Sequence, residues 1–137
     1  MNRPRRHRQE RGAATVFVVG FAVVLLACAG LVVDGGTALN ARMKLADEVE
    51  QAARAGAQQI DEEQLRLNGQ VRLNTLAAGD RARAYLVAQG HPTPYVDPQP
   101  TYVTVTADDV VQTRLLGLIG IDSFDIHATA TAEAETQ

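Results

Sequence analysis

Hydrophobic and polar positions divide the chain into stretches of different period. Residues 13–33 (AATVFVVGFAVVLLACAGLVV) form a run of apolar and small residues with no charged side chain, closed by Arg11 on one side and Asp34 on the other. About 20 such residues wound as a helix cross the roughly 30 Å hydrocarbon core of a bilayer, so this run predicts a transmembrane helix. Gly20 and Gly30 are tolerable there and suit close packing, but their spacing is not that of a GxxxG pair. Asp34, Gly35, Gly36 and Thr37 follow. Two adjacent glycines can interrupt a helix, and Thr37 can cap a new one. Leu39, Met43, Ala46, Val49, Ala53, Ala57 and Ile60 then recur at steps of three or four, which predicts an amphipathic helix over 37–60. Its stripe is rich in alanine and includes Gly56, so a neighbouring helix or sheet can approach closely.

Past residue 60 the pattern changes. Asp61, Glu62 and Glu63 end the stripe and read as a solvated loop. Residues 70–74 alternate and predict a short strand. Asn74 or Thr75 is placed to cap a helix running through Leu86, with Gly90 as its stop. Residues 91–100 hold four of the five prolines and read as a stiff connector. Strict alternation of β-branched residues at 102–106 predicts a strand that can continue to Val111, and alternation from Phe124 to Ala132 predicts another. These two strands are expected to pair in one sheet covered by the amphipathic helix. Between them lies LLGLIGI, residues 115–121, too short to span a membrane. It reads either as core of the small domain or as a contact with a partner subunit or the membrane surface.

Charge sharpens the picture. The net charge is -3, but residues 1–12 carry five arginines against one glutamate, while residues 34–137 carry eight basic and fifteen acidic side chains. Under the positive-inside rule this predicts a cytoplasmic N-terminus and an extracytoplasmic remainder, in a single-pass protein of the cell membrane. Three segments follow: a basic tail at 1–12, the span at 13–33, and an α+β domain at 34–137 made of the 37–60 helix and a small sheet-containing part at 61–137. An acidic outer domain repels nucleic acid, so no nucleic-acid partner is expected.

The apolar run admits other readings. Ala27, Cys28 and Ala29 form an A-x-A cleavage pattern, and Leu25, Leu26, Ala27 and Cys28 resemble a lipobox with Cys28 as the lipidated residue. Against both, the run continues apolar through Leu31, Val32 and Val33. Cys28 is the single cysteine, which excludes a disulfide framework. No acid, base and nucleophile can be assembled from His7, His91, His127 and the lone Ser123. The acidic clusters lack the spacing of a calcium loop. The expectation is therefore no enzyme, no cofactor, no metal and no small-molecule substrate.

Taken in order, Arg11-Gly12, then Ala14-Thr15-Val16, the apolar span, VDGGTAL at 33–39 and EQAARAGAQ at 50–58 resemble the TadE/TadG-like proteins of Flp (Tad) pilus assembly. The resemblance is to short actinobacterial TadG-related members especially, some of which also end in a Thr/Val strand, an LLGLxGI segment and a TATA strand. Here those are residues 103–106, 115–121 and 129–132. It implies a non-enzymatic, pseudopilin-like membrane component of a surface pilus or related secretion machine. Its expected layout is pilin-like: an N-terminal transmembrane helix continuing into an amphipathic helix packed on a small β-sheet. Processed relatives are cut after a glycine with glutamate five residues on; Gly12 matches the glycine, but Phe17 stands where the glutamate belongs. The expected partners are the bilayer, other pilin-like or assembly subunits, and further copies of this chain. The docking surface is expected to comprise Leu39, Met43, Val49, Ala53, Gly56 and Ile60, together with Leu115, Leu118 and Ile121.

Overall fold

The computed structural model describes residues 7–134, with side chains from Ala14 onward. Residues 1–6 of the basic tail at 1–12 lie outside them. Helix α1 runs unbroken over His7–Ala57, and its apolar part is long enough to cross a membrane by length and composition. Gly35 and Gly36 do not interrupt it, and Thr37 caps nothing. The Thr37 hydroxyl donates back to the Val33 carbonyl at 2.9 Å, inside the same helix. Glycine costs a helix about 1 kcal/mol per residue, whereas a break would leave orphan N–H and C=O groups on both sides.

The chain forms two compact units, the first built from residues up to Thr37 with Gln112–Ser123 and the second from Ala38–Val111 with Phe124 onward. In the second unit α1 is followed by α2 (Glu62–Asn68) and α3 (Thr75–Ala88). Three strands follow, β1 (Tyr95–Pro98), β2 (Tyr102–Gln112) and β3 (Ser123–Glu133). They form one antiparallel sheet in the order β1-β2-β3, with Val96 opposite Val105 and Asp97 opposite Thr104. Alternation sets which face is inside: Val103, Val105, Ala107, Ile126 and Ala128 point into the core. On the other face Thr104 meets Thr131, and Thr106 meets Thr129, each at 2.9 Å. The long apolar helix packed on this sheet is the α+β, pilin-like layout.

Small residues let the layers close. Leu45, Val49, Ala52 and Ala53 of α1 share one core with Ala78, Ala82 and Leu86 of α3 and the inner face of the sheet. A Cβ on Gly56 would stand 2.9 Å from the Ala78 carbonyl oxygen and 3.3 Å from Val103, so only glycine fits this approach of α1 to α3.

Several local expectations are corrected. The helix ends at Ala57, so Ile60 lies beyond it and makes an isolated bridge with Leu73; that bridge replaces the strand expected at 70–74. Asp61 is not loop but the cap of α2, its carboxylate accepting the N–H groups of Glu63 and Gln64 at 3.1 Å each. The proline-rich connector contains β1, an edge strand, and Pro98 is tolerated there because an edge leaves one side of the strand unpaired. Asn74 does cap α3, accepting from Ala77 N–H, and the helix runs two residues past Leu86.

Candidate functional site

In the first unit, LLGLIGI contains a short 3-10 turn at Leu116–Ile119. Three successive N–H groups at its start point at one carboxylate. Asp34 Oδ1 accepts from Arg114 N–H at 3.0 Å, and Oδ2 accepts from Leu115 at 2.8 Å and Leu116 at 2.7 Å. Asp34 is only 3 % exposed. One helical turn earlier, Gly30 provides the floor: a Cβ there would meet Leu115 Cβ and the Leu116 side chain, both at 3.2 Å. Gly30 and Asp34, four apart and so on one face of α1, thus hold the loop by shape and by charge.

The carboxyl of Asp34 is held below the ordinary aspartate range. The Leu116 N–H is the largest cause; burial opposes it, and the N–H groups of Arg114 and Leu115 and the Arg114 charge add to it. A carboxylate accepting several backbone N–H bonds is favoured in its ionised form. The base of the loop is closed by Thr113, whose N–H donates to the Asp122 carbonyl at 2.9 Å and whose hydroxyl donates to the Ile121 carbonyl.

Only Leu116 of the loop's large residues is buried. Leu115, Leu118, Ile119 and Ile121 are exposed, which corrects the reading of this patch as domain core.

The second unit holds two other polar groupings. Glu48 on α1 meets His91 Nε2 at 2.8 Å and Lys44 Nζ at 3.4 Å, with the Glu48 and His91 side chains nearly buried. This ties the turn after α3 to α1. On the outer face of the sheet His127 pairs with Asp108 and with Thr129, all exposed; it is a polar-face strand residue, as its alternation predicts. An open groove of about 910 Å³ is lined by Glu50, Arg54, Thr131 and Glu133 among others, and Arg54 there is already paired with Glu50. Among the described residues, no group of three or more His, Cys, Asp or Glu is placed to hold a metal ion.

The residues expected to dock other subunits fall into separate places. Val49, Ala53 and Gly56 are spent on the chain's own core. Leu39 and Met43 stand on α1 at 59 % and 61 % exposure. Ile60 is half-buried beside Leu73. Leu115, Leu118 and Ile121 belong to the first unit. Gly12, Phe17 and Cys28 all lie within α1, with Phe17 and Cys28 exposed. Sequence reasoning missed Asp34, which it read only as the end of the apolar run. A carboxylate tight against such a run is itself a signal, since it needs partners to stay ionised there.

Residues 12–59 match the Tad family model, TadE/G-like Flp pilus assembly. The match covers the apolar run and all of α1 after it, and leaves the sheet outside. No curated protein and no solved structure matches the chain.

Proposed function

We propose that this chain is a membrane-anchored, non-enzymatic component of a Flp/Tad-type pilus assembly or related secretion machine, working by anchoring and subunit docking. The observation that carries the reading is the TadE/G-like match at residues 12–59, which falls on the one helix among the described residues that is long and apolar enough to cross a membrane. The apolar run fixes the chain in the bilayer, with the basic tail on the cytoplasmic side and the acidic domain outside. Its place among short actinobacterial TadG-related members is part of the same proposal.

Docking to pilin-like subunits or to further copies of the chain falls to residues that the fold leaves free. On α1 these are Leu39 and Met43, whose large apolar side chains the core does not use. Phe17 in place of glutamate supports a chain that stays in the membrane rather than one processed after Gly12.

The test is made in the native host. The full chain, solubilised in mild detergent, is expected to co-purify with pilus-assembly membrane proteins, and replacing both Leu39 and Met43 by glutamate is expected to abolish that capture. Mass spectrometry of the mature protein is expected to show the apolar run retained. Loss of residues 1–27 with a lipid on Cys28, or processing at Ala29, would replace the reading with a lipoprotein or secreted binding module.

A further inference from the structure

We infer that residues 115–121 enter the bilayer beside the apolar helix, so that the chain engages lipid with a second, short element at the Asp34 end of the span. The inference rests on residues 13–33 being a membrane span, and goes beyond it.

The argument starts from depth. Gly30 lies inside the charge-free run, about 6 Å along the helix axis from Asp34. Leu115 and Leu116 pack directly on it. Whatever level the last turn of the apolar run occupies in the membrane, the first residues of the loop occupy the same level. A water-exposed loop would have to turn away from the helix at this height, and it is instead fastened there by Asp34.

Composition agrees with depth. Residues 115–121 contain no charged side chain, while Arg114 and Asp122 bound them on either side. Leu118 is 84 % exposed and Ile119 54 % exposed. Helix residues at the same end, Leu26, Leu31 and Val33, are likewise exposed and apolar. The loop therefore extends an apolar surface that already faces outward.

Most N–H groups of the loop meet a stricter condition. In hydrocarbon an unpaired N–H or C=O is costly, so irregular chain enters only if its polar groups are satisfied internally. Asp34 takes the N–H groups of Arg114, Leu115 and Leu116. Those of Thr113, Leu118, Gly120 and Ile121 go to carbonyls of the same segment. The carboxylate is thus a positioning group. It pairs the backbone that lipid would otherwise leave bare, and sits itself at the boundary where the apolar run ends.

The chain has no tryptophan, which makes the test direct. Single-tryptophan variants of the full chain, Leu118→Trp, Val24→Trp and Leu67→Trp, are reconstituted in phosphatidylcholine/phosphatidylglycerol vesicles with and without lipids brominated along the acyl chain. Val24 reports the span, and Leu67 in α2 is an exposed residue of the other unit. The expected result is blue-shifted, bromolipid-quenched emission from Leu118→Trp and Val24→Trp, with Leu67→Trp unquenched. Ile119→Trp serves if Leu118→Trp does not reconstitute. Quenching of Val24→Trp without Leu118→Trp overturns the inference and leaves the span standing. Blue-shifted but unquenched emission from Leu118→Trp also overturns it, and places a second protein copy on the loop. Failure of Val24→Trp to quench overturns the span reading and the inference with it.

Discussion

Asp34 accepts the backbone N–H of Leu116 at 2.7 Å across 82 positions of sequence. This bond and its two neighbours fasten an apolar loop to the end of an apolar helix. Replacing Asp34 by asparagine keeps the shape, removes the charge, and turns one oxygen into a donor facing an N–H group. Amide hydrogen exchange at residues 114–116 is expected to speed up markedly, while amides around Val49 and Val103, in the other unit, keep their protection. Unchanged exchange at 114–116 would show that the carboxylate does not hold the loop.

The same carboxylate gives the loop a pH dependence of definite sign. Its pKa is lowered in the docked state. A group depressed on docking contributes fully above its undocked value and loses that contribution as pH falls through the docked one. With the undocked value at about 3.9, protection at residues 114–116, corrected for intrinsic exchange, should be flat from neutral pH down to about 5 and decline below about 4. Loosening between pH 6 and 8 would point to another titrating group.

How far the sequence reveals this molecule depends on the range of the interaction concerned. The apolar helix, β2, β3 and the cap at Asn74 follow from local period and local hydrogen bonding, and they stand where the pattern puts them. The phase of the α1 stripe does not. Alanines at 46, 52, 53 and 57 fit either face of a helix, so Leu39 and Met43 appear inward by spacing, whereas Leu45 takes that role because α3 and the sheet lie against its side. The strand β1 hides among prolines because its pairing with β2 is tertiary. The Asp34 anchor joins two segments with no shared pattern; nothing local marks Leu116 as its partner.

Gly56 tests the close approach of α1 to α3. An alanine there places Cβ 2.9 Å from the Ala78 carbonyl oxygen. Overpacking of this kind costs roughly 1–3 kcal/mol, against up to about 1 kcal/mol returned by better helix propensity. Gly56→Ala is therefore expected to lower the thermal midpoint in detergent, whereas Gly20→Ala, with nothing within 4 Å of its Cβ, is not. Equal midpoints would mean that α3 does not pack on Gly56 as described.

The Glu48–His91 pair fixes the turn after α3 to α1 at 2.8 Å. Glu48→Ala leaves the His91 ring nearly buried without its partner, and an unsatisfied buried polar group costs about 1–3 kcal/mol. Lys44 is exposed, so Lys44→Ala should change stability by no more than about 0.5 kcal/mol. Denaturant midpoints of the two variants separate the cases; a larger loss from Lys44→Ala would reverse the assignment.

The sharpest contrast lies along α1 itself, between residues that serve the fold and residues that remain free. Leu45 is almost fully buried and Met43, two positions away, is exposed. Leu45→Ala removes core methyl groups and leaves a cavity, a loss of about 2–5 kcal/mol. Met43→Ala removes only solvent-facing atoms and should fall within about 0.5 kcal/mol of the parent. If Met43 and Leu39 dock another subunit, their conversion to glutamate puts charge into an apolar contact, so partner capture fails while the melting curve of the isolated chain stays in place. Leu45→Ala should do the reverse in order: the melting transition drops first, and capture is lost only where the chain unfolds. Capture that survives Leu39→Glu with Met43→Glu at full strength would remove this face of α1 from the docking proposal.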